Sequence, residues 1–195
     1  MATDIRTEPT AADPTRGPWL LLIYRVPNES SGARVAVWRQ LKRLGGFYVQ
    51  QAVCVLPDRG DLREKLTRVR DRIDELGGSS VFLTLTDVEE DARVQFVEGL
   101  RGQSAKEYAE IVEECETKFF KEIEFERFRG NYTFEEAEEI RQDLEKLKRW
   151  LGKVESRDWM DADGKELARQ KVAECERMLE AFEADVYERT VSDVG

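Results

Sequence analysis

Trp19-Leu-Leu-Leu-Ile-Tyr-Arg-Val-Pro27 is an apolar run of strand length closed by a proline. Strands covered on both faces carry such uninterrupted runs, and proline, with no N–H to donate, ends them. Next, Ser30 or Ser31 can cap a helix over residues 33–44, which stops at Gly45-Gly46. Residues 47–51 and 52–56 then read as two strands or one bent hairpin, ended by Pro57. Asp61 is placed to cap a second helix over residues 62–76. Its Leu62, Leu66, Val69, Ile73 and Leu76 recur at spacings of four and three, which is one helical stripe. Gly77-Gly78 ends it. Residues 81–86 form a fourth strand, with Val81, Leu83 and Leu85 on one face and Phe82, Thr84 and Thr86 on the other. The order is β-α-β-β-α-β, a ferredoxin-like arrangement with both helices on one face of the sheet. The semi-polar set Phe82, Thr84 and Thr86 is expected on the uncovered face.

Outward from this unit, residues 1–18 hold three of the five prolines and read as a disordered arm. The sheet domain occupies residues 19–88. Residues 89–195 lose all strand signals. Asp87 with Glu90 can open a short helix ending near Gly102, and Ser104 with Glu107 forms a capping box for a helix to about Arg129. Thr133 with Glu136 is a second such box, opening a helix that reaches about Trp159. The turn at Asp161-Ala-Asp-Gly164 precedes a last helix. The expected fold is therefore α+β: a ferredoxin-like sandwich followed by an acidic, antiparallel bundle of long helices.

Composition narrows the function. The 195 residues carry a net charge of −10 and 37% charged side chains, with no apolar run long enough to span a membrane. No signal peptide is visible, and three scattered cysteines (Cys54, Cys115, Cys175) fit a reduced cytoplasm. With no histidine, there is no Ser-His-Asp triad, no Cys-His pair and no His-bearing zinc or di-iron site, and three cysteines cannot form a four-thiolate zinc site. No cofactor or metal is expected, and no enzyme. Cys54 reads as core, and Cys115 and Cys175 lie on apolar stripes and read as facing each other's helices.

The charge is uneven. Residues 16–88 hold 12 basic and 8 acidic side chains, whereas residues 89–195 hold 18 and 30. Arg39 and Arg43, flanked by Lys42, share the outer face of the first helix, and Lys65, Arg68 and Arg72 line the second. They form either a solvated face of local ion pairs, a patch that contacts nucleic-acid phosphates, or a dock for the acidic helices. Arg25, late in the first strand, and Arg34, in the first turn of the next helix, can meet at the carboxyl end of that strand. Each then pairs with a carboxylate, or the two bind an oxyanion. An open sheet face or bundle stripe points to a homodimer.

The segments WLLLIYRVP and RVAVWRQLKRLGGFYVQQAVCVLPD, with EYAEIVEEC, LEKLKRWLGKVESRDWM and CERMLEAFEADVYE further on, resemble the N-terminal domain of ChrB-type chromate-resistance regulators over roughly residues 18–190. More loosely, the strand-helix-hairpin order is similar to the C-terminal domain of PaaX-type repressors and to small CRISPR-associated nucleases. The nucleases place a metal-binding acid where Arg25 stands here, so the likeness implies no cleavage activity. The resemblance implies transcriptional control of chromate resistance, with DNA and an oxyanion such as chromate as partners. The alternative is a protein-interaction or structural module whose acidic bundle binds a partner protein.

Overall fold

The computed structural model describes residues 15–27 and 31–192. Residues 1–14, most of the expected arm, and Ser30, one of the two expected caps, lie outside them. The chain divides into two compact units, Met1–Leu100 and Arg101–Gly195.

In the first unit β1 (Trp19–Arg25), α1 (Ser31–Arg43), β2 (Phe47–Gln50), β3 (Val53–Pro57), α2 (Leu62–Glu75) and β4 (Ser79–Leu85) follow one another. The strands make one antiparallel sheet in the order β2-β3-β1-β4. β1 is central because its alternation is apolar on both sides. Leu20 and Leu22 are fully buried, opposite Leu56 and Cys54 of β3 and Thr84 and Phe82 of β4. Both helices cover this face: Lys42 of α1 lies over the Tyr48 ring, and Arg63 and Arg70 of α2 over that of Phe82. On the other face Trp19 meets Phe96 edge-on at 5.4 Å, and Phe47 packs against Gly99. Farther along that face Ile23, Val81 and Leu83 stay 38%, 52% and 42% exposed.

The faces of β4 are thus the reverse of the expectation. Phe82 and Thr84 lie under α2, where the arginine stems shield the ring and Arg63 donates to Thr84 Oγ1 at 3.0 Å. Register decides this. Pairing Phe82 with the buried Leu22 sends Val81 and Leu83 to the opposite side, since side chains alternate strictly along a strand. Asp61 also departs from expectation. Its side chain makes no cap hydrogen bond and pairs with Lys65 Nζ at 2.9 Å.

The two Gly-Gly pairs each serve two needs. Gly45 (φ 80°) and Gly77 (φ 70°) take the left-handed conformation that ends a helix. Gly46 and Gly78 permit close approach: a Cβ on Gly46 would lie 2.4 Å from Cys54 Sγ, and one on Gly78 2.4 Å from the Arg25 carbonyl oxygen.

The other helices are α3 (Glu90–Glu114), a π-helical turn over Cys115–Phe119, α4 (Phe120–Arg129), α5 (Phe134–Glu155) and α6 (Lys165–Ser192). The expected break near Gly102, with a new helix opening at Ser104, does not occur. α3 runs through both residues, and the Ser104 side chain is buried rather than capping. One glycine costs a helix only about 1 kcal/mol, which neighbouring turns can outweigh. The cap at Thr133 forms as expected, its Oγ1 accepting from Glu136 N at 3.2 Å, and Gly130 (φ 70°) ends α4. α5 stops at Glu155, short of Trp159.

In the second unit the pairs Arg141–Glu183, Lys148–Glu176 and Arg169–Glu155 descend α5 as they climb α6, so the two helices are antiparallel. Lys171–Glu116 and Arg127–Asp185 climb together, so α6 runs parallel to the π turn and α4. Between them lies one core that includes Tyr108, Ile111, Phe119, Ile140, Leu144, Leu179 and Phe182. Cys115 and Cys175 meet there, thiol to thiol, as the stripes imply.

Gly78→Ala should lower stability by about 1–3 kcal/mol, the usual cost of overpacking, because its Cβ meets backbone that cannot swing away. Gly102→Ala, where a Cβ meets nothing within 4 Å, should raise it by about 0.5–1 kcal/mol. Urea melts of both variants check the pair; a neutral Gly78→Ala would contradict the close approach.

Candidate anion cleft and basic helix face

The carboxyl end of β1 and the first turns of α1 border an open cleft of about 790 Å³, within the usual range for small-molecule sites. Arg25 and Arg34 are both among the residues that line it. The β2–β3 turn supplies Gln50 and Gln51, and α1 supplies Trp38, which is 46% exposed. Among the described residues, none of the ten that line it is acidic, although the whole chain is at −10.

The cleft floor is aromatic. Tyr24 follows Leu20 and Leu22 on the helix side of β1, and Tyr48 sits opposite Cys54 on that same side. Their rings meet edge-on and their hydroxyls lie 2.8 Å apart. Burial, more than any neighbouring charge, raises both phenol pKa values, so both stay neutral at physiological pH. Burial likewise pushes the Cys54 thiol up to about 12, which makes it a core residue. Strand alternation places Tyr24 and Tyr48 on this face once the register is known. Sequence alone supplies no signal for their pairing, because it depends on how β2 and β1 align across β3.

The other basic residues separate into two groups. On α2, Lys65 pairs with Asp61, Arg68 with Glu64, and Arg72 with Glu75 at 2.7 Å. Each ion pair is local to its own helix and solvent-exposed, and such pairs contribute about 0–1 kcal/mol. On α1, Arg39 and Arg43 are exposed one turn apart, and among the described residues neither forms an ion pair. Lys42 is half-buried, its Nζ 6.0 Å from the centre of the Tyr48 ring.

Carboxylates cluster where α4 meets the start of α5. Asn131 Nδ2 donates to the buried Glu126 at 2.6 Å and to Glu136 at 3.1 Å. Glu122 faces Asp143, Glu136, Glu126 and Glu139, with Lys118 and Lys146 nearby but already paired to Glu114 and Asp143. Among the described residues no group of three or more acids or cysteines is placed to hold a metal ion, and no helix is long and apolar enough to cross a membrane.

The chain is thus a mixed α+β protein with an arginine-lined cleft in its first unit and an acid-rich helical second unit. The family model described as Protein ChrB, N-terminal, matches residues 34–193, and the chain belongs to that family. No curated protein and no solved structure matches the chain.

The acid cluster has a pH consequence. Desolvation first, then the four neighbouring carboxylates, raises the Glu122 pKa, and Glu136 is raised as well. A carboxyl whose folded pKa exceeds its unfolded value stabilises fully below the unfolded value, and that stabilisation is lost as pH rises through the folded one. Lowering the pH from 7 toward 5 should therefore raise the melting temperature. Glu122→Gln should be more stable than wild type at pH 7 and show a smaller rise. Parallel pH profiles for the two proteins would contradict this.

Proposed function

We propose that the chain is a non-catalytic, cytoplasmic regulator that binds DNA phosphates through α1 and responds to an oxyanion bound between Arg25 and Arg34. Membership in the ChrB N-terminal family supports a regulator-like role in chromate resistance. The β-α-β-β-α-β order and the β2-β3-β1-β4 sheet support a ferredoxin-like fold for the first unit. The single observation that carries the DNA reading is the pair Arg39 and Arg43, exposed on one helix face and, among the described residues, without an ion pair. Lys65, Arg68 and Arg72 are neutralised on their own helix and take a secondary part, as does the half-buried Lys42.

A salt series of binding to a DNA duplex tests this. Arg39→Ala with Arg43→Ala should weaken binding to all sequences alike. It should also flatten the slope of log affinity against log salt by roughly 0.9 per lost phosphate contact. Wild-type protein that shows no salt-dependent binding to any duplex at low ionic strength would overturn the DNA reading.

The oxyanion reading rests on the place of Arg25 and Arg34 in one cleft, where among the described residues the lining carries no acid. Chromate, as the dianion, fits two guanidiniums by charge, and sulfate offers the same geometry. Isothermal titration with sulfate and with chromate should show a site that Arg25→Ala and Arg34→Ala each weaken by tenfold or more. Unchanged affinity in both variants would remove the cleft from consideration.

One observation favours the alternative, a protein-interaction module. Phe125 and Phe128 of α4, Phe134 of α5, and Tyr187 and Val191 of α6 all lie exposed at one end of the helical unit, Phe128 at 89%. Such a patch on a charged surface is how partner sites look. Failure of DNA binding with intact folding would shift the assignment there.

A further inference from the structure

We infer that β4 is a homodimer contact, in which the edge strands of two copies pair antiparallel about a two-fold axis through Phe82 and make one eight-stranded sheet. This goes beyond the regulator reading and does not depend on it.

β4 is an edge. It pairs with β1 on one side only, and among the described residues no backbone hydrogen bond outside the sheet reaches residues 79–86. Proteins that stay monomeric guard such edges with lysine, proline, a bulge or a very short strand. β4 has none of these: it is seven residues long, Ser-Ser-Val-Phe-Leu-Thr-Leu, with no charge and no proline, and its register with β1 is unbroken. The bulge in this sheet lies between β2 and β3, at the other edge.

The occupant follows from self-complementarity. Seven residues have a central one, Phe82. An antiparallel pair about it sets Val81 opposite Leu83 of the second copy, Ser80 opposite Thr84, and Phe82 opposite itself. These three central pairings are like with like in polarity, whereas the outer one sets Ser79 against Leu85, and aromatic and branched cross-strand pairs each contribute about 0.2–1 kcal/mol. Val81 and Leu83, half-exposed beside Ile23, then continue an apolar strip from one copy to the next.

The helix above the edge fits as well. α2 packs on both β1 and β4. Its Arg63 reaches Thr84, its Arg70 reaches Ser80, and both lie over Phe82, so the helix covers one face of the strand and leaves its outer edge open. An isologous contact needs a self-matching patch, and the central pairings of β4 are one.

The experiment is light scattering on the full chain at about 100 μM, with two variants and circular dichroism to confirm folding. Wild type is expected at twice 22.6 kDa. Val81→Lys changes a side chain already 52% exposed, so it keeps the fold, and it is expected to run as a monomer. Phe82→Cys brings two Cβ atoms across the axis to disulfide range, whereas the native cysteines are buried, so mild oxidation is expected to cross-link it as a dimer. A face-to-face dimer would not, because residue 82 lies on the helix-covered side. A monomeric wild type, a dimeric Val81→Lys, or a dimer that Phe82→Cys does not cross-link would each overturn the inference. Should Phe82→Cys misfold, Ser80→Cys with Thr84→Cys reports the same register.

Discussion

The register of β1 against its two neighbours is the constraint on which the first unit depends. Leu20 and Leu22 are fully buried and set the rungs: Leu56 and Cys54 on one side, Thr84 and Phe82 on the other. Removing either leucine would cost about 2–5 kcal/mol, a large share of the stability of a small domain. A slip of one residue would send both to the wrong face, so the register is held firmly. Everything at the carboxyl end of β1 inherits it, including the meeting of Tyr24 with Tyr48 and the entry of Arg25 into the cleft.

The second unit is organised by charge laid over an apolar core. Long helices expose so much surface that about half of their residues are polar, and here the acids dominate. Cross-helix ion pairs at Glu183, Glu176 and Glu155 track the α5–α6 alignment. Each is worth little alone, but together they specify which residue lies beside which. Near Glu122 and Glu136 burial, and after it the neighbouring carboxylates, makes the carboxyl groups hold their protons more tightly.

The same division of charge bears on function. A basic side chain is free to meet a phosphate only where no local acid has claimed it. α2 carries its acids at helical spacing, so Glu64 and Glu75 neutralise Arg68 and Arg72. α1 has no acid from Ser31 to Arg43, and among the described residues Arg39 and Arg43 form no ion pair. Among the described residues, those that line the cleft come from β1, α1 and the β2–β3 turn and include no acid.

Sequence by itself determined the order of elements in the first unit and most of the helical stripes. Those depend on local spacing, capping and glycine stops, which are properties of neighbouring residues. It also set Cys115 and Cys175 on apolar stripes that face each other's helices, and the structure makes the two thiols neighbours. It set Arg25 and Arg34 at the end of one strand and the start of the next helix, and both line one cleft. Tertiary structure decided the rest. The faces of β4 came out reversed because strand pairing, not hydrophobicity alone, sets which side of Phe82 is covered. α3 ran through Gly102 because one weak residue does not end a helix whose flanking turns hold. The π turn at Cys115–Phe119, the hydroxyl pair of Tyr24 and Tyr48, and the local pairing that quiets α2 depend on atoms far apart in the chain, or on a choice among several nearby acids that spacing leaves open.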